Sequence, residues 1–391
     1  MSLLVALLVV ASLPLWITDG VFLTEVLAGL RAARKQPPAL PRGRVALIIP
    51  AHNEDAGVGA TVAGLIATAP PGTRVLVVAH NCADRTAEIA AAAGAEVARL
   101  DEPARRGKGY ALDGGRRTLA ADPPDVAILV DADCEAEPGA LARLAATAER
   151  TGRPVQASYL FQPKPGASAV VQVSNFAMLV KNLVRQRGGR RIGAPALMTG
   201  SGMAIPWRLF ETLDLATGNI VEDLAIGIDF VRRGAPPVFE EGATIWSSPS
   251  SEAGTSTQRA RWEGGFVATA RSLGLPLVAE GLRRGRFATV WMGLHLLTAP
   301  LTLLLIANGV CALVWGGLWL AGVAWLPSLI AIGLAVAIVV AVLAAWAMAG
   351  RAMLSAGSLV RLPLYMLWKL ALYGRIAKGE RPAWIRTERV D

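Results

Sequence analysis

The stretch that decides the fold is Ala127-Ile128-Leu129-Val130-Asp131-Ala132-Asp133, where four apolar residues run directly into two carboxylates. The apolar run is too short for a helix and is typical of a buried parallel strand. Such strands end at one edge of an open α/β sheet, where these folds bind their ligands. If Asp131 and Asp133 lie just beyond that edge, their oxygens could hold Mg²⁺ or Mn²⁺ carrying a diphosphate. Taken alone, the pair is a weak signal, because such acids are more often solvated turn residues or helix caps.

Further strand-like runs precede this stretch and predict the rest of a sheet. They begin at Val45, Arg74 and Glu96, and each leads into a loop and then a helical segment. Strands that alternate with helices in this way predict a parallel, doubly wound α/β fold. The loops after the strands carry polar residues, namely Asn53, Glu54, Asn81, Asp84 and Lys108. Loops in these places are where such folds bind nucleotides.

The composition predicts a membrane protein. Of 391 residues, 53% are hydrophobic and 18% are charged, and the mean hydropathy is +0.44, which is unusually apolar for a soluble enzyme. The net charge of +9 fits an anionic membrane face or a phosphate-bearing substrate. Nucleic acid is not expected as a partner, because the sequence has no zinc finger, basic helix or aromatic RNA-binding motif. The three cysteines are far apart and odd in number, which predicts free thiols.

Apolar segments flank a globular region at 44–286. Residues 1–30 predict a retained N-terminal transmembrane helix, because no Lys or Arg precedes the apolar run and no cleavage site is evident. Residues 31–43 form a basic, proline-broken linker, which the positive-inside rule places in the cytoplasm. Residues 287–350 carry no Asp, Glu, Lys or Arg and predict two spans, at about 290–319 and 327–349, with three tight spans as the alternative. Residues 351–391 predict an interfacial helix and a cytoplasmic tail.

This arrangement predicts a multi-pass protein of the inner (plasma) membrane with its globular domain in the cytoplasm. The even number of C-terminal spans returns the chain to the side that carries Arg351, Arg361, Lys369 and Arg375.

Over about residues 44–270, the order of motifs resembles the membrane-bound family 2 glycosyltransferases. The motifs are Ile49-Pro50-Ala51-His52-Asn53-Glu54, Asn81-x-x-Asp84-x-Thr86, Gly107-Lys108-Gly109-Tyr110-Ala111-Leu112, Asp131-Ala132-Asp133, Gly200-Ser201-Gly202, Glu222-Asp223 and Gln258-Arg259-Ala260-Arg261-Trp262. The last matches Q-x-x-R-W, which is typical of the processive and lipid-linked branch. The resemblance implies a GT-A fold at 44–286, Rossmann-like with a mostly parallel sheet, as a cytoplasmic domain flanked by transmembrane helices.

The resemblance also implies roles for individual residues. Those implied to bind the nucleotide sugar are Asn53, Glu54, Asn81, Asp84, Lys108 and Asp131. Asp131 and Asp133 would bind Mg²⁺ or Mn²⁺. Those implied to contact the acceptor or the diphosphate are Gly200, Ser201, Gly202, Glu222, Gln258, Arg261 and Trp262. Asp223 is the predicted catalytic base, because displacement with inversion needs one carboxylate to take the proton of the acceptor hydroxyl.

Structural roles remain open for most of these residues. The asparagines and Asp84 could form turns or caps, and Lys108 could be a solvated loop charge. Glu222 and Asp223 could simply stabilise a helix N-terminus. Gln258, Arg261 and Trp262 would also suit an ordinary amphipathic interfacial helix. His80 stands where many relatives carry an acid that contacts the base, which leaves the nucleotide open.

The sequence therefore predicts a membrane-integrated inverting glycosyltransferase. It would move a hexose, UDP-linked by resemblance, to a lipid-linked glycan, a membrane lipid or a growing exopolysaccharide. The alternative is a processive polysaccharide synthase that also secretes its polymer. Q-x-x-R-W favours that alternative, but few spans disfavour it unless a partner subunit or a homo-oligomer completes the channel. A non-catalytic scaffold that senses nucleotide sugar is a third interpretation, disfavoured by the complete set of acids.

Overall fold

The computed structural model describes residues 3–33, 37, 39–216, 221–249 and 252–362, with side chains described except at 252–257 and 260. Contacts within the chain divide it into two compact units. The helical unit comprises Met1–Ala32, Pro163–Ala194 and Ser250–Asp391, and the sheet unit comprises Ala33–Gln162 and Pro195–Pro249. The predicted domain bounds of 44–286 cross this division and stay a prediction.

The sheet unit is built on eight strands. They are β1 (Val45–Ala51), β2 (Arg74–His80), β3 (Glu96–Leu100), β4 (Val126–Leu129), β5 (Cys134–Ala136), β6 (Val155–Phe161), β7 (Met203–Pro206) and β8 (Val238–Ser247). Their order in the sheet is β3-β2-β1-β4-β7-β6-β8-β5. The strands β3, β2, β1 and β4 are mutually parallel, as are β6 and β8, whereas β7 and β5 pair antiparallel with their neighbours. The mostly parallel α/β sheet predicted from the sequence is confirmed.

Apolar side chains on the central strands explain why they occupy the middle of the sheet. Leu47, Ile48 and Ile49 in β1 are fully buried, as are Ile128 and Leu129 in β4. Burying each such side chain stabilises the fold by about 1.5–3 kcal/mol. Helices of this unit are α2 (Val58–Thr68), α3 (Thr86–Ala92), α4 (Lys108–Leu119), α5 (Ala140–Thr151), α8 (Trp207–Phe210) and α9 (Glu222–Arg232).

The antiparallel strand β7 places a glycine loop beside the central acids. Met203 in β7 pairs with Leu129 in β4, and the amide of Gly202 donates to the carbonyl of Leu129 at 2.9 Å. Residues 200–202 therefore lie next to the carboxyl end of β4, where Asp131 follows. The parallel pairing of β1 with β2 and with β4 brings the loops after these three strands to the same edge.

The helical unit contains the apolar helices. They are α1 (Leu3–Gly29), α6 (Ala169–Leu179), α7 (Gln186–Arg191), α10 (Glu252–Arg284), α11 (Phe287–Leu297), α12 (Leu301–Leu320), α13 (Trp325–Ala345) and α14 (Ala356–Val360), with π-helical turns at Val180–Arg185 and Trp346–Gly350. Among the described residues, three helices are long and apolar enough to cross a membrane: Leu3–Gly29, Leu301–Leu320 and Trp325–Gly350. Most of the predicted interfacial helix and tail lies outside the described residues.

One predicted span differs from the structure. The apolar segment predicted at 290–319 is two helices, because α11 ends at Leu297 and α12 begins at Leu301. Pro300 lies between them, and proline has no amide hydrogen to continue a helix from the preceding turn. With 11 residues, α11 is too short to cross a bilayer, which needs about 20.

A buried polar cluster joins α1 to two later segments of the helical unit. Glu25 accepts a hydrogen bond from Arg185 Nε at 2.6 Å and from Trp291 Nε1 at 2.9 Å. His295 Nδ1 lies 2.8 Å from the same carboxylate. Because a buried carboxylate is costly unless it is paired, these contacts fix the position of α1 against α11 and the first π-helical turn.

Candidate active site

Lys108 and Asp131 form the centre of the candidate site. Lys108 opens α4 directly after Gly107, and its ammonium group forms an ion pair with the Asp131 carboxylate. It also donates to the carbonyl oxygen of Gly200 at 2.6 Å. Burial alone would lower the pKa of Lys108, but the nearby acids, Asp131 first and then Glu222, raise it above its usual value. The site therefore holds a permanent, half-buried cation among several carboxylates.

The acids after β4 form a cluster suited to a divalent cation. Oxygens of Asp131 and Asp133 and the sulfur of Cys134 lie within 4.8 Å of one another. Burial, with the negative charges of the two acids, raises the pKa of the Cys134 thiol well above its usual range, and sulfur is a soft donor that Mg²⁺ and Mn²⁺ do not prefer. Ser247 Oγ donates to Asp133 at 3.3 Å and helps to orient it. The two carboxylates offer the hard oxygen donors that Mg²⁺ and Mn²⁺ prefer, so these residues fit such an ion.

The loop at Gly200 brings Asp223 to the same place. Gly200 has a φ of +88°, a left-handed conformation that glycine adopts without strain. A Cβ at this position would lie 3.3 Å from Asp223 Oδ2 and 3.6 Å from Lys108 Nζ. Asp223 sits in the first turn of α9, where its other oxygen accepts the amide hydrogen of Leu224 at 2.8 Å. The structure thus brings Lys108, Asp131 and Asp223 together around one glycine.

Glu222, beside Asp223, has a raised pKa. Burial raises the pKa of Glu222 to about 7, with Lys108 acting to lower it and Asp223 acting to raise it. A carboxyl group with this pKa holds a proton for part of the time at neutral pH. A partly protonated carboxyl group can donate as well as accept a hydrogen bond.

The loop after β2 uses its polar side chains to hold its own backbone. Asn81 Oδ1 accepts from the amide of Glu102 at 2.7 Å, and its Nδ2 donates to the carbonyls of Glu102 and Arg105, each at 3.1 Å. Asp84 accepts from the amide and hydroxyl of Thr86 at 3.0 and 2.5 Å, and from the amide of Asp55 at 3.2 Å. These contacts match the turn and capping roles that the sequence left open.

The loop after β1 is held in the same way. Asn53 has a φ of 55°, and its Oδ1 accepts from the amide of Ala83 at 2.8 Å. The amide of Glu54 donates to the Thr86 hydroxyl at 2.8 Å. The roles of Asn53, Glu54, Asn81 and Asp84 in nucleotide binding stay predictions.

The Q-x-x-R-W residues lie in α10 of the helical unit. Gln258, Arg261 and Trp262 are partly buried. Arg259, which the sequence analysis did not select, is buried, donates to Ser174 Oγ at 2.6 Å, and stacks over the Trp262 ring at 5.3 Å. Its three-residue spacing from Trp262, on one face of a helix, is the signal that could have identified it.

Gln156 is a further residue that sequence reasoning missed. It is fully buried in β6, and its Nε2 donates to the carbonyl of Ser201 at 2.9 Å while its Oε1 accepts from the amide of Thr199 at 3.0 Å. It therefore fixes the loop that carries Gly200. The signal was a lone amide inside an otherwise apolar strand.

Comparison with known proteins identifies the family. Residues 41–265, more than half of the chain, match the family model described as glycosyltransferase like family 2. The chain therefore belongs to this family.

Individual relatives are consistent with that assignment. Uncharacterized glycosyltransferases of Mycobacterium tuberculosis and Mycobacterium bovis are each 39% identical to it over 106 residues, which is 27% of this chain. The match spans 44% of the length of those relatives. The mannosyltransferase PcManGT from Pyrobaculum calidifontis, solved in complex with GDP-Man and Mn²⁺, has a similar fold, with a TM-score of 0.58, 17% identity and coverage of 96% of this chain and 97% of that one. At this identity the likeness shows the fold alone, and the predicted GT-A class is confirmed.

Proposed function

We propose that this protein is a membrane-integrated inverting glycosyltransferase. It moves a hexose from a nucleotide sugar to a lipid-linked glycan, a membrane lipid or a growing exopolysaccharide. The observation that carries the proposal is the convergence of Lys108, Asp131 and Asp223 around Gly200. Family membership and the three helices long enough to cross a membrane support it.

The donor diphosphate would be held by Lys108 and by a divalent cation. Asp131 and Asp133 would hold Mg²⁺ or Mn²⁺, which, when bound, neutralises charge that develops on the departing diphosphate. Lys108 adds a compact positive charge on the same side of the site. Its ion pair with Asp131 keeps the lysine directed toward the position of the phosphates.

Asp223 would act as the base. Its Oδ2 faces Gly200, and its Oδ1 is oriented by the Leu224 amide. As the acceptor oxygen bonds to the anomeric carbon, its proton passes to Asp223, and the bond between the sugar and the diphosphate breaks with its electron pair leaving on the diphosphate. Glu222 is suited to binding the acceptor, because its pKa of about 7 leaves it partly protonated at neutral pH and able to donate a hydrogen bond.

A donor screen tests the proposal. The purified full chain in lipid nanodiscs would be incubated with UDP- and GDP-linked hexoses, a membrane lipid extract, and either Mn²⁺ or EDTA. We expect metal-dependent release of one nucleoside diphosphate together with a labelled glycolipid. Asp223→Asn should lower transfer by about 100- to 10,000-fold while nucleotide affinity stays within a few-fold.

Two outcomes would contradict the proposal: full transfer by Asp223→Asn, or no diphosphate release with any donor. The size of the product separates single addition from the processive alternative, because a synthase gives a long polymer and the proposed enzyme adds one sugar.

A further inference from the structure

Helices α10 and α11 form a hairpin whose backbones touch. The chain turns at Gly285, which has a φ of +61°. A Cβ on Gly281 would lie 2.5 Å from the Val290 nitrogen, and one on Gly293 would lie 2.7 Å from the Gly274 carbonyl oxygen. No side chain fits between the helices at these points. One face of α10 is therefore filled by α11, and the hairpin is a rigid unit.

The opposite face of α10 is apolar and exposed. Leu275 and Leu282 are each 68% exposed, whereas Leu277, on the other side of the same helix, is 0% exposed. Ala279 lies between the two exposed leucines, and Phe287, which opens α11 just past the turn, is a further apolar residue with 49% of its surface exposed. A contiguous apolar surface of this kind marks contact with a partner or a membrane.

The same end of the hairpin is strongly basic. Residues 268–288 contain four arginines and one glutamate. Arg271, Arg283 and Arg284 are exposed, and Glu280 is already paired with Arg284 at 2.8 Å. An apolar stripe flanked by arginines is typical of a helix that lies in the surface of an anionic membrane.

Contacts with α1 fix the position of this hairpin along the length of α1. Trp291 and His295 of α11 both contact Glu25 of α1. Helix α1 ends at Gly29, which is four residues and about 6 Å beyond Glu25 along the helix axis. On its other side, α11 leads into the candidate span α12. The hairpin therefore lies level with the ends of two candidate spans, which is the depth of the phospholipid headgroups when those helices cross a bilayer.

We propose that the hairpin face, defined as Leu275, Ala279, Leu282, Arg283 and Phe287, lies in the headgroup layer at the C-terminal end of α1 and binds anionic phospholipid. Two observations favour anionic phospholipid over a protein partner at this face: the arginines beside it are complementary to anionic headgroups, and α11 leads directly into the candidate span α12. The proposal goes beyond sugar transfer, because it assigns a lipid-binding surface to residues outside the candidate active site.

Photocrosslinking of the full chain tests this surface. Benzoyl-phenylalanine would replace Leu282 or, as the matched control, Leu277, in nanodiscs of phosphatidylcholine with or without phosphatidylglycerol. We expect lipid adducts at position 282, enriched in phosphatidylglycerol, and adducts only with protein at position 277. Absence of lipid adducts at 282, or adducts with a protein partner in their place, would overturn the proposal.

The charge requirement is tested separately. Each arginine near an anionic membrane surface contributes about 1 kcal/mol, or about fivefold in binding. In the double variant Arg283→Gln, Arg286→Gln, the enrichment of phosphatidylglycerol in the adducts at position 282 should therefore fall by about fivefold for each arginine removed. Arg99→Gln, which removes an exposed arginine of the sheet unit, should leave it unchanged. Equal enrichment in the double variant and the parent would refute anionic lipid binding. Because adducts should persist in Asp223→Asn, failure of this proposal is distinguishable from failure of the proposed function.

Discussion

Asp131 and Asp84 follow β4 and β2, the two strands that flank β1, so they emerge at the same edge of the sheet. The Asp84 carboxylate accepts hydrogen bonds from the loop around it, from Thr86 and Asp55. The Asp131 carboxylate instead pairs with Lys108, with Asp223 close by. Asp84 thus stabilises its own loop, whereas Asp131 belongs to a cluster of charged side chains.

The difference indicates which residues at this edge of the sheet stabilise the fold and which are suited to function. Polar groups that satisfy the backbone of their own loop stabilise the fold. Charges gathered from three distant parts of the chain, and partly buried against one another, cost stability and are typical of functional sites. Substitutions in the two places should therefore change different measured quantities.

Within this comparison, the largest effect is expected for Asp131→Asn. Transfer should fall by about 100- to 1,000-fold, because the variant loses a cation ligand and the partner of Lys108. The unfolding temperature should change by only a few degrees, since burial of this carboxylate raises its pKa and so opposes its charged form. Transfer assays and differential scanning fluorimetry measure the two quantities. A large loss of stability with normal activity per folded molecule would show that Asp131 stabilises the fold and does not serve the reaction.

Lys108→Met should have the next largest effect. Losing a charged contact to the diphosphate should weaken nucleotide diphosphate binding by about 10- to 100-fold. Isothermal titration calorimetry with UDP and GDP measures this change, and Arg99→Met serves as a control that removes an exposed cation elsewhere in the sheet unit. Unchanged affinity in Lys108→Met would place the lysine outside donor binding.

Two glycines of one loop allow a finer test. Gly200 and Gly202 have φ values of +88° and +68°, so alanine costs each about 1–2 kcal/mol in backbone strain. A Cβ at Gly202 would also lie 2.6 Å from Ile245 and 2.8 Å from Ala157, inside the core, whereas at Gly200 it meets Asp223 and Lys108. Chemical denaturation should show the greater loss of stability for Gly202→Ala. Activity per folded molecule should fall further for Gly200→Ala, and the opposite ranking would contradict the assignment of this loop.

A smaller effect is expected for Asp84→Ala. The variant should lose about 1–2 kcal/mol of unfolding free energy, because three donors of its loop lose their acceptor. Nucleotide affinity, measured well below the unfolding temperature, should stay within threefold. A tenfold loss of affinity without a loss of stability would show that this loop binds the nucleotide, as the family resemblance implies.

The last effect concerns the pH dependence of stability. The pKa of Glu222 is raised from its ordinary value of 4.5 to about 7, so the native state holds this proton to higher pH than the unfolded chain. Its contribution to stability is complete below about pH 4.5 and is lost as the pH rises through 7. In EDTA, the unfolding temperature of the wild type should therefore fall relative to Glu222→Gln between pH 5 and pH 8. A constant difference across this range would mean that Glu222 does not titrate there.

Much of the fold was predictable from the sequence because apolar runs report burial directly. The runs at β1, β2 and β4, each ending in polar residues, identified the parallel part of the sheet. Strands β5 and β7 have three and four residues and were not predicted. Strand β4 is equally short, but its apolar run leads directly into two acids, and no such signal marks β5 or β7. Pro300 lies within the apolar segment and separates α11 from α12, whereas the predicted span at 290–319 ran through it.

The candidate site was predictable as residue types but not as contacts. Asp131 and Asp223 stand out because they belong to an ordered series of motifs that resembles the family, although an acid after a strand or at the start of a helix can also be a turn or cap. That Lys108 reaches both Asp131 and the Gly200 carbonyl depends on β7 pairing with β4, and no local pattern encodes that pairing. Likewise, the bonds of Asn81 and Asp84 depend on the path of a loop that spacing does not specify.

The buried carboxylate of Glu25 has a consequence for biogenesis. Its arginine partner follows it by 160 residues and its histidine partner by 270. At about 5–20 residues per second, the ribosome needs roughly 10–30 s to deliver the arginine. During that interval the newly synthesised first helix carries an acid near its end without these two partners, so it can reach its final packed position only after the downstream chain is made.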